Sequence, residues 1–333
     1  MTTQSQATPR ASEEVQAYED TLRMLSAGSV RRHFDPYVDI DWDSPDFAVD
    51  RTDRRWILPA STDPLGSHPW YLALPEDRKI QIGLWRQANV AKVGLQFEQL
   101  LIGGVMNYVF KAANGSPEFR YLTHECIEEC NHTLMFQEMV NRIGDDVPGM
   151  GPVMNKLGPL IPLLGRLFPT TFFVAVLAGE EPIDHIQKSI LRAGEDVHPI
   201  MQGVMRIHIA EEARHISFAH EYLQHKVPKL GFVKRGILSL AFPIVMYVAC
   251  NLIVRPPRSL FRQCGIPMSV RRDLFWGNKE SKAWRRDLFG DVRMLAQDTG
   301  LLNPVAKLLW KALRIDGKPA RFRGEPVRSR VAA

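Results

Sequence analysis

The 333-residue sequence lacks several common signatures of protein function. It contains no G-x-G-x-x-G, no G-x-x-x-x-G-K-[ST] and no G-x-S-x-G, which argues against dinucleotide binding, P-loop chemistry and serine hydrolysis. Its N-terminal residues form no apolar run, so no secretory signal peptide is expected. Cysteine is scarce and no C-x-x-C pair occurs, which argues against a disulfide framework or a zinc ribbon. The four cysteines, expected as free thiols in a cytoplasmic protein, are Cys126, Cys130, Cys250 and Cys264.

The net charge of +5 conceals an uneven distribution along the chain. From residue 255 to the end there are 18 Lys and Arg against 7 Asp and Glu, a net of +11 that leaves −6 for the rest. Such a basic region can bind nucleic acid, anionic lipid or an acidic carrier protein. No RNA-binding or zinc-finger motif accompanies it. We therefore expect a solvated basic surface and no nucleic-acid partner.

Apolar residues recur with helical periodicity, and no convincing β alternation is present. Proline and glycine divide the chain into long helical segments. The predicted helices lie at about 12–27, 75–113, 117–143, 169–193, 199–225 and 229–254. The pattern predicts an all-α, ferritin-like helical bundle with additional C-terminal helices. The predicted units are an N-terminal tail and short helix (1–34), the bundle (35–255) and a basic helical extension packed on the same domain (256–333).

One apolar run is close to the length of a bilayer-spanning helix. Residues 236–254 include no charged side chain, but Pro243 and Asn251 interrupt the run. We predict a buried core helix here, and peripheral membrane contact is the alternative.

Ionisable residues interrupt four of the predicted helices at positions that share a face. In the helix at 199–225, His208, Glu212 and His215 fall within an arc of roughly 60° at 100° per residue. Their neighbours on that face are apolar, and burying such groups is expensive unless something pairs with them. A metal ion satisfies all three at once, and imidazole ligands suit iron rather than magnesium or calcium.

A second E-x-x-H pair, formed by Glu129 and His132, lies on the helix at 117–143. Two such helices, with one glutamate from each of two others, are the ligand set of dinuclear carboxylate sites. Glu98 is the candidate on the first long helix. Glu180 and Glu181 are both candidates on the third, and their spacing from the following residues favours Glu180.

Other acids are placed to support the histidines. A metal-bound histidine usually donates its second N–H to a carboxylate. We predict Glu211 as the partner of His132, Glu128 as the partner of His215, and Asp184 as the partner of one of the histidines.

These motifs resemble those of the dinuclear non-haem iron arylamine N-oxygenases, which include the para-aminobenzoate N-oxygenase and the arylamine oxygenase of chloramphenicol biosynthesis. The resemblance covers about residues 35–225. The matching stretches are FEQLL (Glu98), EECNHTLMFQE (Glu129, His132), GEEPIDH (Glu180 or Glu181) and HIAEEARHISFA (His208, Glu212, His215). The para-aminobenzoate enzyme has aspartate where Glu128 and Glu211 stand here, so its substrate preference is not carried over.

The resemblance implies an O2-dependent di-iron oxidoreductase that N-oxygenates an arylamine. In that family the diferrous site binds O2 and forms a peroxo-diferric species that oxidises the substrate. It implies two iron ions, bridged here by Glu129 and Glu212, although the sequence does not separate iron from manganese. The implied metal ligands, which are also the implied catalytic residues, are Glu98, Glu129, His132, Glu180, His208, Glu212 and His215.

The expected partners follow from the same resemblance and from the charge pattern. They are a small apolar or aromatic substrate, an external electron donor of the ferredoxin or flavin reductase type, an acyl or peptidyl carrier protein, and a second copy of the chain in a homodimer. Two other functions remain open. One is hydroxylation or desaturation of an apolar or carrier-bound acyl substrate, and the other is iron or oxidant handling by a ferritin-like protein.

Overall fold

The computed structural model describes residues 9–274 and 279–320, and within them every regular element is helical. The side chains of residues 9–11 and 280 are not described. Residues 1–8 of the predicted N-terminal tail, and residues 275–278 and 321–333 of the predicted basic extension, lie outside the described residues. The helices are α1 (Pro9–Arg31), α2 (Pro69–Leu72), α3 (Glu76–Val109), α4 (Pro117–Ile143), α5 (Pro152–Leu157), α6 (Leu163–Leu167), α7 (Pro169–Ala193), α8 (Pro199–Lys226), α9 (Phe232–Val254), α10 (Arg258–Gln263), α11 (Met268–Arg272), α12 (Lys279–Asp287), α13 (Gly290–Asp298) and α14 (Pro304–Ala312).

Four long helices, α3, α4, α7 and α8, form the central bundle. Its closest pairings are α3 with α4 and α7 with α8, while α1 packs on α4 and α8, and α9 packs on α7. The buried apolar side chains form two clusters, one toward each end of the bundle. On α4 the first cluster ends at Cys126 and the second begins at Met135. On α8 the second ends at Ile207 and the first begins at Phe218, so the polar segments of both helices lie between two apolar cores.

Local sequence signals account for the helix ends. Pro117 occupies the first turn of α4, and Gly144 ends it with φ of 77° while its N–H donates to the carbonyl of Val140. Pro199 likewise opens α8 after His198, whose side chain accepts from the N–H of Ile200. The predicted helices at 117–143 and 169–193 match the observed α4 and α7. The prediction of an all-α, ferritin-like bundle is confirmed.

Two parts of the helix prediction were wrong. The first helix extends over Pro9–Arg31 rather than 12–27. It continues through Gly28, where the side chain of Arg214 on α8 passes 3.2 Å from the position of an added Cβ, and Ser26 and Ser29 are buried beside it. The short helices α2, α5 and α6 were not predicted, since periodicity is weak evidence over one or two turns.

The prediction that the apolar helix α9 is buried is only half right. Leu238, Phe242 and Met246 are buried, but Ile237 and Val248 on the opposite face remain 64% and 48% exposed. By length and composition alone, Phe232–Gln263 could cross a membrane, with a mean hydropathy of 2.3 and 39% of its most apolar window buried. A single stretch of this kind is weak evidence for membrane insertion, because core helices pass the same test.

The helices after α9 share the core of the bundle. Phe289, Val292 and Trp310 are buried in the same apolar cluster as Phe173 and Phe218. The C-terminal helices α13 and α14 therefore contribute apolar surface to the bundle that positions the polar residues of α7 and α8.

Candidate metal centre

The seven candidate ligands come from four helices and all lie in the interior. Each has at most 1% of its surface exposed. Spacings of three and four residues put Glu129 and His132 on one face of α4, and the three residues of α8 on one face of that helix. The full set is Glu98 on α3, Glu129 and His132 on α4, Glu180 on α7, and His208, Glu212 and His215 on α8.

The structure brings these side chains together around Glu212. Three trios have ligand atoms within 4.8 Å of one another, and Glu212 belongs to each. The trios are His132 with His208 and Glu212, Glu129 with Glu212 and His215, and Glu98 with Glu180 and Glu212.

Glu129 faces two imidazoles at once. Its Oε2 lies 2.9 Å from Nδ1 of His132, and its Oε1 lies 2.8 Å from Nδ1 of His215. Oε1 of Glu212 lies 3.3 Å from Nδ1 of His215 and 3.5 Å from Nε2 of His208. Ligands held about 2.1 Å from a cation at right angles are about 3 Å apart, so these separations suit atoms that share a metal ion.

The close approach of α7 to α3 depends on a glycine. A Cβ at Gly179 would lie 2.1 Å from Cζ of Phe97. Glu98 follows Phe97 and Glu180 follows Gly179, so this contact places the two carboxylates at the same level of the bundle. A larger residue at position 179 would separate them or displace the Phe97 ring.

The outward nitrogen of each imidazole has a hydrogen-bond partner. Nε2 of His132 lies 2.9 Å from Glu211 and Nε2 of His215 lies 2.8 Å from Glu128, the partners predicted from the sequence. Nδ1 of His208 donates to Oε1 of Gln187 at 2.8 Å. These bonds leave the other nitrogen of each ring facing the other candidate ligands, which is how metal-bound histidines are oriented.

Comparison with known proteins identifies the family. The p-aminobenzoate N-oxygenase AurF family matches residues 15–300. This chain belongs to that family. Uncharacterised proteins of Mycobacterium bovis and Mycobacterium tuberculosis are each 58% identical to it over 316 residues, covering 95% of this chain and 93% of the relative. The predicted arylamine N-oxygenase resemblance is thereby confirmed, and the family is one of di-iron oxygenases.

The four carboxylates of this AurF-family site fall into two groups, one with raised pKa values and one with lowered pKa values. Burial, with the charge of Glu129, raises the pKa of Glu98 well above its ordinary value, and burial with the charge of Glu212 does the same for Glu180. Burial also opposes ionisation of Glu129 and Glu212, but the imidazoles outweigh it. His215 and His132 lower the pKa of Glu129 well below its ordinary value, and His215 with His208 lowers the pKa of Glu212 to about 2.

The pKa values of the imidazoles are also shifted in opposite directions. Burial lowers the pKa of His208 to about 4, so this ring is neutral. Burial acts in the same direction on His132, but the charge of Glu129 outweighs it and raises the pKa to about 10. In the absence of a cation, bound protons neutralise these closely spaced carboxylates. Metal binding would replace those protons, since ligands bind in their deprotonated forms.

The donor set fits a pair of divalent cations. Four carboxylates carry a charge that two divalent ions cancel, and buried charges require such compensation. Several of their oxygens have no hydrogen-bond partner within the described part of the chain, although they are buried. These oxygens include Oε2 of Glu98, both oxygens of Glu180, and Oε2 of Glu212.

One sequence prediction around the site was wrong, and the two adjacent glutamates of α7 have different surroundings. Asp184 pairs with Lys188 at 2.8 Å, one turn along α7, rather than with a candidate ligand. Glu181 lies outside the three trios, and its Oε1 is 2.5 Å from Nε2 of His220. The helix therefore turns Glu180 inward and Glu181 toward α8.

Sequence reasoning missed three side chains at the site. Gln187, the partner of His208, lies two turns after Glu180 on the same face of α7, and this spacing was an available signal. Arg214 donates to Glu128 at 2.8 Å and lies 3.6 Å from Glu211, so it offsets the charge of both outer acids. Glu125 is buried, which raises its pKa to about 8, and its spacing to Glu129 repeats that of His208 to Glu212.

Proposed function

We propose that this protein is a di-iron N-oxygenase that uses O2 to oxidise the nitrogen of a small aromatic amine. One observation carries the proposal: seven buried carboxylate and imidazole groups converge beside a largely apolar pocket that reaches Glu98 and His208. Membership of the AurF family supports an oxygenase with an aromatic amine as substrate. The three imidazoles favour iron over magnesium and calcium.

The ligands proposed for two iron ions are Glu98, Glu129, His132, Glu180, His208, Glu212 and His215. Bound iron supplies the electrons that reduce O2. The contacts of Glu129 and Glu212 with several imidazoles support a role for both as shared ligands. Glu211, Glu128 and Gln187 hold the imidazoles in orientation, and Arg214 places a positive charge 2.8 Å from Glu128 and 3.6 Å from Glu211.

The first oxidation has a defined balance. One arylamine, one O2, two electrons and two protons yield one arylhydroxylamine and one water, so a new N–O bond forms and the O–O bond breaks. The electrons must come from outside the chain, and a ferredoxin or a flavin reductase is the proposed donor. Phe136, which packs with its ring centroid 5.0 Å from that of His208, helps to exclude water from the reacting atoms.

A direct test combines metal analysis with isotope-labelled O2. Protein loaded anaerobically with Fe(II) should hold about two iron atoms per chain. With a chemical reductant, labelled O2 and 4-substituted anilines, labelled oxygen should appear on nitrogen. Glu212→Ala should lose both iron and product.

Two results would count against the proposal. Iron oxidation without labelled organic product would favour an iron-handling protein. Label on carbon would favour a hydroxylase. In either case the metal analysis would still show whether the seven residues bind iron.

A further inference from the structure

The pocket beside the candidate metal centre has an apolar wall and, at the end away from the centre, several polar side chains. Glu98 and His208 are at its inner end, and Val90, Phe136 and Ile183 are among its apolar lining residues. Arg86 and Asp63 also line it. Of the lining residues that the structure describes, Arg86 is the only lysine or arginine.

The charge of Arg86 is already neutralised within the wall. Its Nε donates to Oδ2 of Asp63 at 2.7 Å, and its Nη2 donates to the carbonyl of Val254 at 3.2 Å. Both members of the pair are at least nine-tenths buried. A buried pair of this kind is costly to break, because the partner left behind is an uncompensated charge.

Asp63 is held independently of Arg86. Its Oδ1 accepts from the N–H of Leu65 at 2.9 Å and caps the short 3₁₀ helix Pro64–Ser67. An incoming carboxylate therefore cannot displace Asp63 without breaking that cap. At the other end of the pocket, a carboxylate would approach the acidic side chain of Glu98 in a low-dielectric interior.

We infer that this pocket binds an uncharged arylamine and discriminates against an arylamine that carries a carboxylate. The inference rests on the proposed function for the identity of the ligand as an arylamine. Thr62 and Gln87, the sequence neighbours of Asp63 and Arg86, also line the pocket and supply neutral polar groups. They can bind an amide, ester or hydroxyl substituent, but they cannot neutralise an anion.

The test compares two ligands of nearly the same shape, 4-aminobenzamide and 4-aminobenzoate. Binding to the anaerobic, Fe(II)-loaded protein is measured by calorimetry, without O2, so that no oxidation is required. The neutral amide should bind at least about tenfold more tightly than the acid. Equal or tighter binding of the acid, or binding of neither ligand, would overturn the inference.

A variant tests whether the pairing of Arg86 with Asp63 causes this preference. Asp63→Asn keeps the oxygen that caps Leu65 but leaves the Arg86 charge unpaired, so it should bind the acid more tightly and reduce or reverse the preference. Asp184→Asn is the matched control, because it removes a carboxylate whose partner Lys188 is outside this pocket, and it should leave the preference unchanged. An unchanged preference in a folded Asp63→Asn protein would contradict the inference. If that variant does not fold, the wild-type comparison decides.

The two proposals fail separately. Tight binding of the amide without oxidation in the presence of O2 and reductant would reject the N-oxygenase function and leave the pocket selectivity standing. Preferential oxidation of the acid would reject the selectivity and leave the N-oxygenase function standing.

Discussion

Glu180 and Glu181 show at the scale of single residues how one step along a helix changes the surroundings of a side chain. Both oxygens of Glu180 are buried without a hydrogen-bond partner in the described part of the chain, and they face Glu98 and Glu212. Glu181 bonds to His220 beside a polar cleft. A rotation of 100° per residue is enough to separate the two environments.

This difference predicts opposite results for two similar substitutions. Glu180→Gln should lower the iron content from about two atoms per chain, because an amide does not supply the anionic ligand. Glu181→Gln should retain the wild-type content. Iron is measured by elemental analysis after anaerobic loading and desalting. Equal loss in both variants would contradict the assignment of Glu180 as the ligand.

Gln187 permits a second prediction about a single side chain. It accepts from Nδ1 of His208 and so keeps Nε2 directed at the carboxylates. Gln187→Leu should weaken Fe(II) binding roughly 10–100-fold, as loss of such a partner does at other metal sites. Competition with a chelator of known affinity gives the measurement.

Gln187→Glu is the control for this prediction, because it retains an acceptor for the imidazole N–H. It should restore most of the affinity lost in Gln187→Leu. A leucine variant with wild-type affinity would show that His208 is oriented by other contacts.

Among the helices, the start of α4 is bound to three others through Glu118. Its carboxylate accepts from Tyr18 on α1 at 2.8 Å and from Tyr108 on α3 at 2.7 Å. Lys226 at the end of α8 lies 3.1 Å away. Burial raises the pKa of Glu118, but Lys226 and the two hydroxyl groups outweigh it, so the net pKa is below its ordinary value. The ionised form therefore stabilises the packing of four helices.

Glu118→Gln should lower the free energy of unfolding by roughly 1–3 kcal/mol at neutral pH, because it removes the charge that Lys226 and the two tyrosine hydroxyl groups stabilise. The folded pKa is lower than the unfolded one. The greater stability of the wild type is therefore present above pH 4.5, the ordinary pKa of a glutamate side chain, and is lost as the pH falls below that value.

Urea unfolding of the wild type and Glu118→Gln on both sides of that pH measures the effect. A gap between the two proteins that widens on acidification would contradict the direction of the pKa shift. Tyr18→Phe, which removes one of the hydroxyl groups that lower the pKa of Glu118 and keeps the ring, should show a smaller loss of stability with the same direction of pH dependence.

For the molecule as a whole, the buried carboxylates link metal binding to stability. Two apolar cores enclose the candidate ligands, so the cluster has no solvent to screen it. A ligand at about 100 times its Kd stabilises the folded state by about 2.7 kcal/mol. Fe(II) or Mn(II) should therefore raise the Tm of metal-free protein by roughly 3–10 °C.

Anaerobic differential scanning fluorimetry measures this shift, with Mg(II) as the control. Mg(II) should produce little change, because it prefers oxygen ligands to imidazole. An equal shift with Mg(II), or no shift with Fe(II), would argue against a transition-metal site. The Glu180→Gln variant should show a reduced shift at the same Fe(II) concentration.

The pattern of residues along the chain was sufficient for the long helices and for the shared face of the candidate ligands on α4 and on α8. Helical periodicity is local, so the spacing of His208, Glu212 and His215 indicated a shared face before any contact between helices was known. The same spacing applied to Glu129 and His132. The outer partners Glu211 and Glu128 could also be predicted, because each neighbours a candidate ligand in a pair of matching motifs.

Contacts between helices decided the rest, because they depend on how far each helix is rotated and how closely it approaches its neighbours. Adjacent glutamates on α7 differ in their surroundings only once that helix packs on α3 at Gly179. The pairing of Arg86 with Asp63 joins α3 to a loop 23 residues away, and no local pattern specifies it. The half-exposed α9 likewise follows from which of its faces meets α7. Sequence periodicity determines which residues can face inward, whereas tertiary packing determines which neighbour each of them meets.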